Sequence, residues 1–244
     1  MARFRTADLV VETKPDLTPV TEADRAVEEA LRRRIDIERP GHAVLGEEMG
    51  GGDSVGGPSG WQWVLDPIDG TKNYLRGVPV WATLIALRHE GEGVLGVVSA
   101  PALGRRWWAA RGEGAWAAAP GGDPVRARVS AVTEVDDAFL SYDSATGFEE
   151  HGIGPPFLGL VRRCWRTRGY GDFWSHVLVA EGAVDIAVEP EVEVWDVAPL
   201  QVIVEEAGGR FTDLAGRARP DGGSAVSTNG ALHDQALAAL AGSG

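Results

Sequence analysis

The chain has 244 residues, 44% of them hydrophobic and 24% charged, which suffices for one large domain or two intimate subdomains around a substantial core. Its formal net charge of −13 repels phosphate backbones and excludes nucleic acid as a default partner. The same charge sets a condition on function, because an anionic ligand would need metal ions or helix N-termini to offset the repulsion. A single cysteine, Cys164, excludes an internal disulfide and a C-x-x-C metal or redox motif. No apolar run reaches bilayer length, and the first residues lack the apolar core of a signal peptide. A soluble cytoplasmic protein without a membrane partner is expected.

In chain order, the pattern predicts a helix over 21–38. Thr21 is its N-cap, Asp24 stands three residues on, and Val27, Ala30, Leu31 and Ile35 recur at helical spacing. A short apolar piece, 43–45, runs into Gly46-Glu47-Glu48, and residues 50–60 are a Gly/Ser-rich loop. Residues 61–65 form a strand that ends at Asp66. Four apolar segments follow, at 80–87, 93–99, 105–110 and 114–118, divided by Gly, Pro or charge as strands are. The polar stretch 125–137 joins two halves, a β-rich part of about residues 1–130 and an alternating α/β part of about 131–244 within one catalytic-sized domain. In the second half, helices are expected over 172–181, 196–207 and 232–240, and strands over 184–188, 211–214 and 225–227. This is a layered α/β (α+β) arrangement, not a simple Rossmann sheet.

The strongest chemical signal is Asp66-Pro67-Ile68-Asp69-Gly70-Thr71. A buried strand delivers Asp66, and Pro67 and Gly70 force a turn that lets Asp69 point back to the same side. Two carboxylates held this way suit hard divalent cations, which prefer oxygen ligands. The amides of Gly70 and Thr71 are then available to phosphate oxygens. An Asp-rich turn after a strand is the plain alternative. Glu47 and Glu48 read alone as a solvated acidic turn. Asp196 reads alone as a helix cap with Pro199 in the first turn. Together these sites put carboxylates at the ends of core elements, where a fold can converge them.

Gly46-Glu47-Glu48, then Asp66 to Thr71, then Trp195-Asp196-Val197-Ala198 resemble the three signature blocks of the inositol monophosphatase superfamily, in order and approximate separation. The resemblance runs from Lys14 to the C-terminus. It implies a five-layered α-β-α-β-α sandwich of the inositol monophosphatase / fructose-bisphosphatase type, usually a homodimer. It also implies Mg²⁺-dependent hydrolysis of a small-molecule phosphate ester with two or three ions per site, Mn²⁺ as a possible substitute and Li⁺ as an inhibitor. Glu47, Asp66 and the Ile68 carbonyl would hold one ion, and Asp66, Asp69 and Asp196 a second. Thr71 would stand beside an attacking water that Glu47 helps to position, and Asp24 near a further metal-linked water. Lys14 matches a basic family position. Family members usually carry another helix before that lysine, whereas only residues 1–13 precede it here.

In that family, the segments around Gly171-Asp172 and Glu189 border the leaving-group pocket, beside the phosphate contacts of Glu47, Ile68, Asp69, Gly70, Thr71 and Asp196. An acidic Asp172 together with Glu189 favours a leaving group carrying a cation, such as the amine of histidinol. The alternatives are a helix cap for Asp172 and a solvated strand-end acid for Glu189. Residues 72–81 and 99–108 resemble the histidinol-phosphatase branch of the superfamily. A phosphatase for inositol or sugar monophosphates is the first alternative, and a non-catalytic regulatory binding protein the second. His42, His89, His151, His176 and His233 lack metal-ligand spacing and read as structural or surface residues.

Overall fold

The computed structural model describes residues 1–6, 8–13, 19–51 and 59–242. Lys14 and the centre of the predicted loop 50–60 lie outside the described residues. A short antiparallel pair, β1 (Val11–Thr13) and β2 (Pro19–Thr21), leads into helix α1 (Glu22–Glu38). The Thr21 hydroxyl accepts the Ala23 and Asp24 amides, while the Asp24 carboxylate accepts the Thr21 amide. This reciprocal cap satisfies donors that the first helical turn would otherwise strand, so α1 begins where the sequence predicts.

Seven strands then build one sheet in simple chain order: β3 (Ala43–Gly46), β4 (Trp61–Asp69), β5 (Ala82–His89), β6 (Glu92–Ala100), β7 (Arg105–Ala110), β8 (Gly114–Ala118) and β9 (Val125–Arg126). β3 and β4 run parallel, and the other neighbours are antiparallel. A short helix, α2 (Thr71–Leu75), separates β4 from β5. The rest of the chain supplies β10 (Phe139–Tyr142), α3 (Ala145–Glu150), α4 (Gly154–Arg163), β11 (Arg166–Arg168), α5 (Asp172–Ala180), β12 (Ile186–Glu189), α6 (Val194–Glu206), β13 (Arg210–Thr212), β14 (Ala225–Thr228) and α7 (His233–Leu240). Its five strands form a second sheet in the order β11-β10-β12-β14-β13.

Helices α5 and α6 lie between the sheets. α6 packs on β4 to β8 on one side and on β13 and β14 on the other. A helix covered on both sides has no use for a polar face, and α6 buries Val197, Ala198, Pro199, Leu200, Val202, Ile203 and Val204. Gly96 of β6 makes the close approach possible, since a Cβ there would lie 2.3 Å from the Pro199 carbonyl oxygen. Outside the first sheet α1 lies against β4, and outside the second α7 lies against β14 with α4 beside it. The layers therefore run α-β-α-β-α, as expected. No described helix is long and apolar enough to cross a membrane.

Two segments differ from expectation here. α6 starts at Val194, two residues early, because Glu193 and not Asp196 is its N-cap. Pro199 consequently sits inside the helix, where it removes the amide that would bond to the Trp195 carbonyl. The polar stretch 125–137 contains β9 and a 3₁₀ turn, Val135–Asp137.

Candidate active site

β4 does not stop at Asp66. It continues to Asp69, and its register against β5 shifts between those two residues. In a regular strand, positions three apart point to opposite faces. The irregularity cancels that alternation, as a bulge does, and brings both carboxylates to one side. Gly70 follows at φ +78°, a left-handed conformation that costs glycine little, and starts α2 with Thr71 as its first residue. The Thr71 hydroxyl donates to the Ile68 carbonyl at 2.8 Å and lies 3.4 Å from Asp24 Oδ1. Asp24 is fully buried, and its other oxygen accepts the Thr21 amide and hydroxyl at 2.8 and 2.5 Å.

Asp196 arrives from the opposite side, on the first turn of α6. Its Oδ2 accepts the Glu193 amide at 2.8 Å, so it completes a capping box from inside the helix. Asp69 Oδ2 likewise accepts the Phe173 amide at 2.8 Å. Each bond pins one oxygen and leaves the other to face the cavity. One oxygen from each of Asp66, Asp69 and Asp196 lies within 4.8 Å of the others. Asp66 Oδ1 is buried without a hydrogen-bond partner. Three convergent acids and an orphaned carboxylate oxygen fit a hard divalent cation. Glu47 lines the same floor, and its charge adds to the crowding around Asp66. Its turn is tied down by Glu28 of α1, which accepts the Glu48 and Met49 amides at 2.8 and 3.2 Å. Glu28 was not anticipated as a support for the site.

The cavity above this floor measures about 240 Å³, and Asp143, Asp172, Glu189 and Glu191 form its other wall. Asp143 and Glu189 lie at the carboxyl ends of the parallel neighbours β10 and β12, where crevices open in such sheets. Asp172 is not a helix cap. Gly171 holds that position, and Asp172 adopts φ +48° and accepts the Asn73 side-chain amide at 2.9 Å. Glu189 is only 7% exposed, which removes the solvated alternative. Asp143 escaped the sequence reading, although it too follows an apolar strand, as Asp66 and Glu189 do. Lys72 is the one cation among the described lining residues. Among the histidines, His233 bonds Thr212 and Thr228 in the core, whereas His176 lies against Glu189.

Crowding raises the affinity of these acids for protons. Burial first, then Glu47, Asp69 and Asp196, hold the Asp66 carboxyl well above its ordinary range. Burial first, then Asp172 and Asp196, do the same to Asp69. Asp196 is pushed up to about 8 by burial and by Glu189 and Glu47, against the Glu193 amide. Burial, Glu189 and Asp143 raise Asp172 to about 7, with Lys72 opposing them. Since these acids bind protons more tightly folded than unfolded, metal-stripped protein loses stability as pH rises through the window up to about 8. Thermal melts in chelator should therefore fall from pH 5 to pH 8. Mg²⁺ at about a hundred times its dissociation constant should restore about 2.7 kcal/mol. For a chain of this size that is roughly 5–10 °C, and at one fixed Mg²⁺ concentration the gain should be larger at pH 8 than at pH 5. A metal-free melting temperature that rises across this window would contradict the convergence of the acids.

Comparison with known proteins agrees with this geometry. The profile of the inositol monophosphatase family matches residues 1–243. The histidinol-phosphatase of Mycobacterium tuberculosis is 58% identical over 238 residues, covering 98% of this chain and 90% of that protein. The histidinol-phosphatase of Streptomyces coelicolor is 53% identical over 244 residues, with the same two coverages of 98% and 90%. The solved structure of the Thermotoga maritima IMPase superposes with a TM-score of 0.82 at 30% identity, covering 96% of this chain and 88% of that one. With its three signature blocks brought together on one floor, the chain belongs to the inositol monophosphatase family.

Proposed function

We propose that this protein is a Mg²⁺-dependent phosphomonoesterase that converts histidinol phosphate and water into histidinol and phosphate. The observation that carries the chemistry is the convergence of Asp66, Asp69 and Asp196, beside an Asp66 oxygen that has no hydrogen-bond partner. Relatives named histidinol-phosphatase, at 58% and 53% identity over nearly the whole chain, support the substrate.

Glu47, Asp66 and the Ile68 carbonyl would hold one Mg²⁺, and Asp66, Asp69 and Asp196 a second. When bound, these ions neutralise charge on the phosphate and lower the pKa of an attacking water. The chain's own residues supply the rest. Gly70 and Thr71 line the cavity at the turn into α2, and their amides would donate to the phosphate. Thr71 would orient the incoming water through its hydroxyl; turned from the Ile68 carbonyl to Asp24 Oδ1, 3.4 Å away, that hydroxyl would pass its own proton to Asp24 as it takes one from the water. Glu47 accepts from the same water. Asp172, Glu189 and the backbone at Gly171 flank the leaving group, whose ammonium the acidic wall attracts. Family likeness extends the proposal to a cytoplasmic homodimer that accepts Mn²⁺ and is inhibited by Li⁺.

Phosphate release from a panel of esters tests the assignment. Histidinol phosphate should be preferred over inositol 1-phosphate by about tenfold or more, and turnover should cease on chelation. Turnover unchanged by thorough chelation would remove the metal mechanism. A preference for inositol 1-phosphate would leave the metal site standing and replace the substrate.

A further inference from the structure

Resting on that substrate proposal, we infer that His176 is a positioning residue that aims the Glu189 carboxylate at the ammonium of the substrate. The inference starts from the sheet register. β12 lies between β10 and β14, and Ala187 stands opposite Ser141 on one side and Ser227 on the other. Alternation then divides β12 cleanly. Ile186 and Val188 enter the outer core, while Ala187 and Glu189 face α5. Along this face the row is small and polar, which leaves room for a ring from the helix above.

His176 fills that room. It is fully buried and lies one helical turn beyond Asp172, so both reach the same side of α5. Its Nδ1 lies 2.7 Å from the Ser227 hydroxyl. Its Nε2 lies 3.3 Å from Glu189 Oε1, out of line for a full hydrogen bond, and neither atom has another partner. A small rotation of the Glu189 carboxylate closes this contact and satisfies two otherwise stranded buried atoms at once.

The Ser227 hydroxyl can serve either tautomer of the ring, so the Glu189 carboxylate facing Nε2 selects between them. With the serine hydroxyl donating to Nδ1, the proton resides on Nε2 and points at Glu189. The opposite tautomer would set a nitrogen lone pair against a carboxylate. A donor behind Glu189 limits the rotation of its carboxylate. One oxygen is held from below, and the other is presented to the cavity, which Glu189 lines. His176 touches no reacting atom in this arrangement. It acts through Glu189 and affects only substrates that Glu189 reads.

The test compares histidinol phosphate with its matched deamino ester, imidazolylpropyl phosphate, under saturating Mg²⁺. His176→Asn keeps a polar group near Ser227 but withdraws the donor from Glu189. It should lower the kcat/KM ratio of the two esters about tenfold, mainly through KM for histidinol phosphate. His176→Gln returns an amide N–H to the Nε2 position and should recover the ratio to within about threefold of the parent. Ser227→Ala, a gentler change if the first variant folds poorly, should lower the ratio by about threefold. Equal losses on both esters, or a ratio unmoved in His176→Asn and Ser227→Ala, would overturn the positioning role while the substrate assignment stands. If the unmodified enzyme itself shows no preference for the amine-bearing ester, the substrate assignment fails and the positioning role falls with it.

Discussion

Asp69→Asn should lower kcat by about a hundredfold or more, and Asp196→Asn should do the same, with the fold intact. The reason is specific to the hydrogen bonds of each residue. Asp69 Oδ2 accepts the Phe173 amide, and Asp196 Oδ2 accepts the Glu193 amide. An asparagine must keep its carbonyl oxygen on that amide, because its NH₂ cannot accept. The NH₂ then points toward the cation site, where it offers protons to a metal instead of a lone pair. Each substitution therefore removes a charge and inverts the polarity of the liganding atom at almost constant volume. Mg²⁺ titration should show weakened binding in parallel. Metal-stripped Asp69→Asn should also be more stable than the parent at pH 8, because one of several mutually repelling buried carboxylates is gone. A loss of less than about tenfold, or 1.4 kcal/mol, would mean that the residue holds no catalytic metal.

The layers and the metal floor were legible because each rests on a local rule. α1 carries its reciprocal cap in the letters Thr21 to Asp24, and the first sheet is a run of neighbouring strands in chain order. Segment 138–171 was not legible. β10 and β11 are only four and three residues long, and α4 opens with two prolines, so none offers a period long enough to recognise. Asp143 was hidden with that segment. Asp196 was recognised as a site residue but not as the inner half of a capping box, because glutamate is a rare N-cap and Glu193 gave no warning. His176 was invisible for another reason. Its partners Glu189 and Ser227 lie 13 and 51 residues away, and only the β12–β14 register brings them together.

Neutralising the acidic wall should cost selectivity before it costs chemistry. Glu189→Gln and Asp172→Asn are the informative changes, since each keeps shape and removes one charge. Asparagine tolerates the φ of +48° at position 172 as well as aspartate does, so no backbone strain is introduced. Its carbonyl can still accept the Asn73 amide, which Asp172 now holds at 2.9 Å. At 189, a glutamine oxygen can still face His176. What both variants lose is attraction for an ammonium. On the proposed mechanism the metals and the Gly70 and Thr71 amides would bind the phosphate common to every ester, so they would not discriminate among leaving groups. A partly desolvated carboxylate facing an ammonium contributes roughly 1.5–3 kcal/mol, or about ten- to a hundredfold in kcat/KM. Glu189 should account for the larger share, being nearly buried at 7% exposure, whereas Asp172 is opposed by Lys72 and partly open. The measurement is kcat/KM for histidinol phosphate and for inositol 1-phosphate in each variant. Histidinol phosphate should lose ten- to a hundredfold, and inositol 1-phosphate no more than about threefold, because its hydroxyls accept a neutral amide as readily as a carboxylate. Equal losses on both substrates would assign these acids to the fold or to the metals, and the cationic leaving group would lose its receptor in this structure.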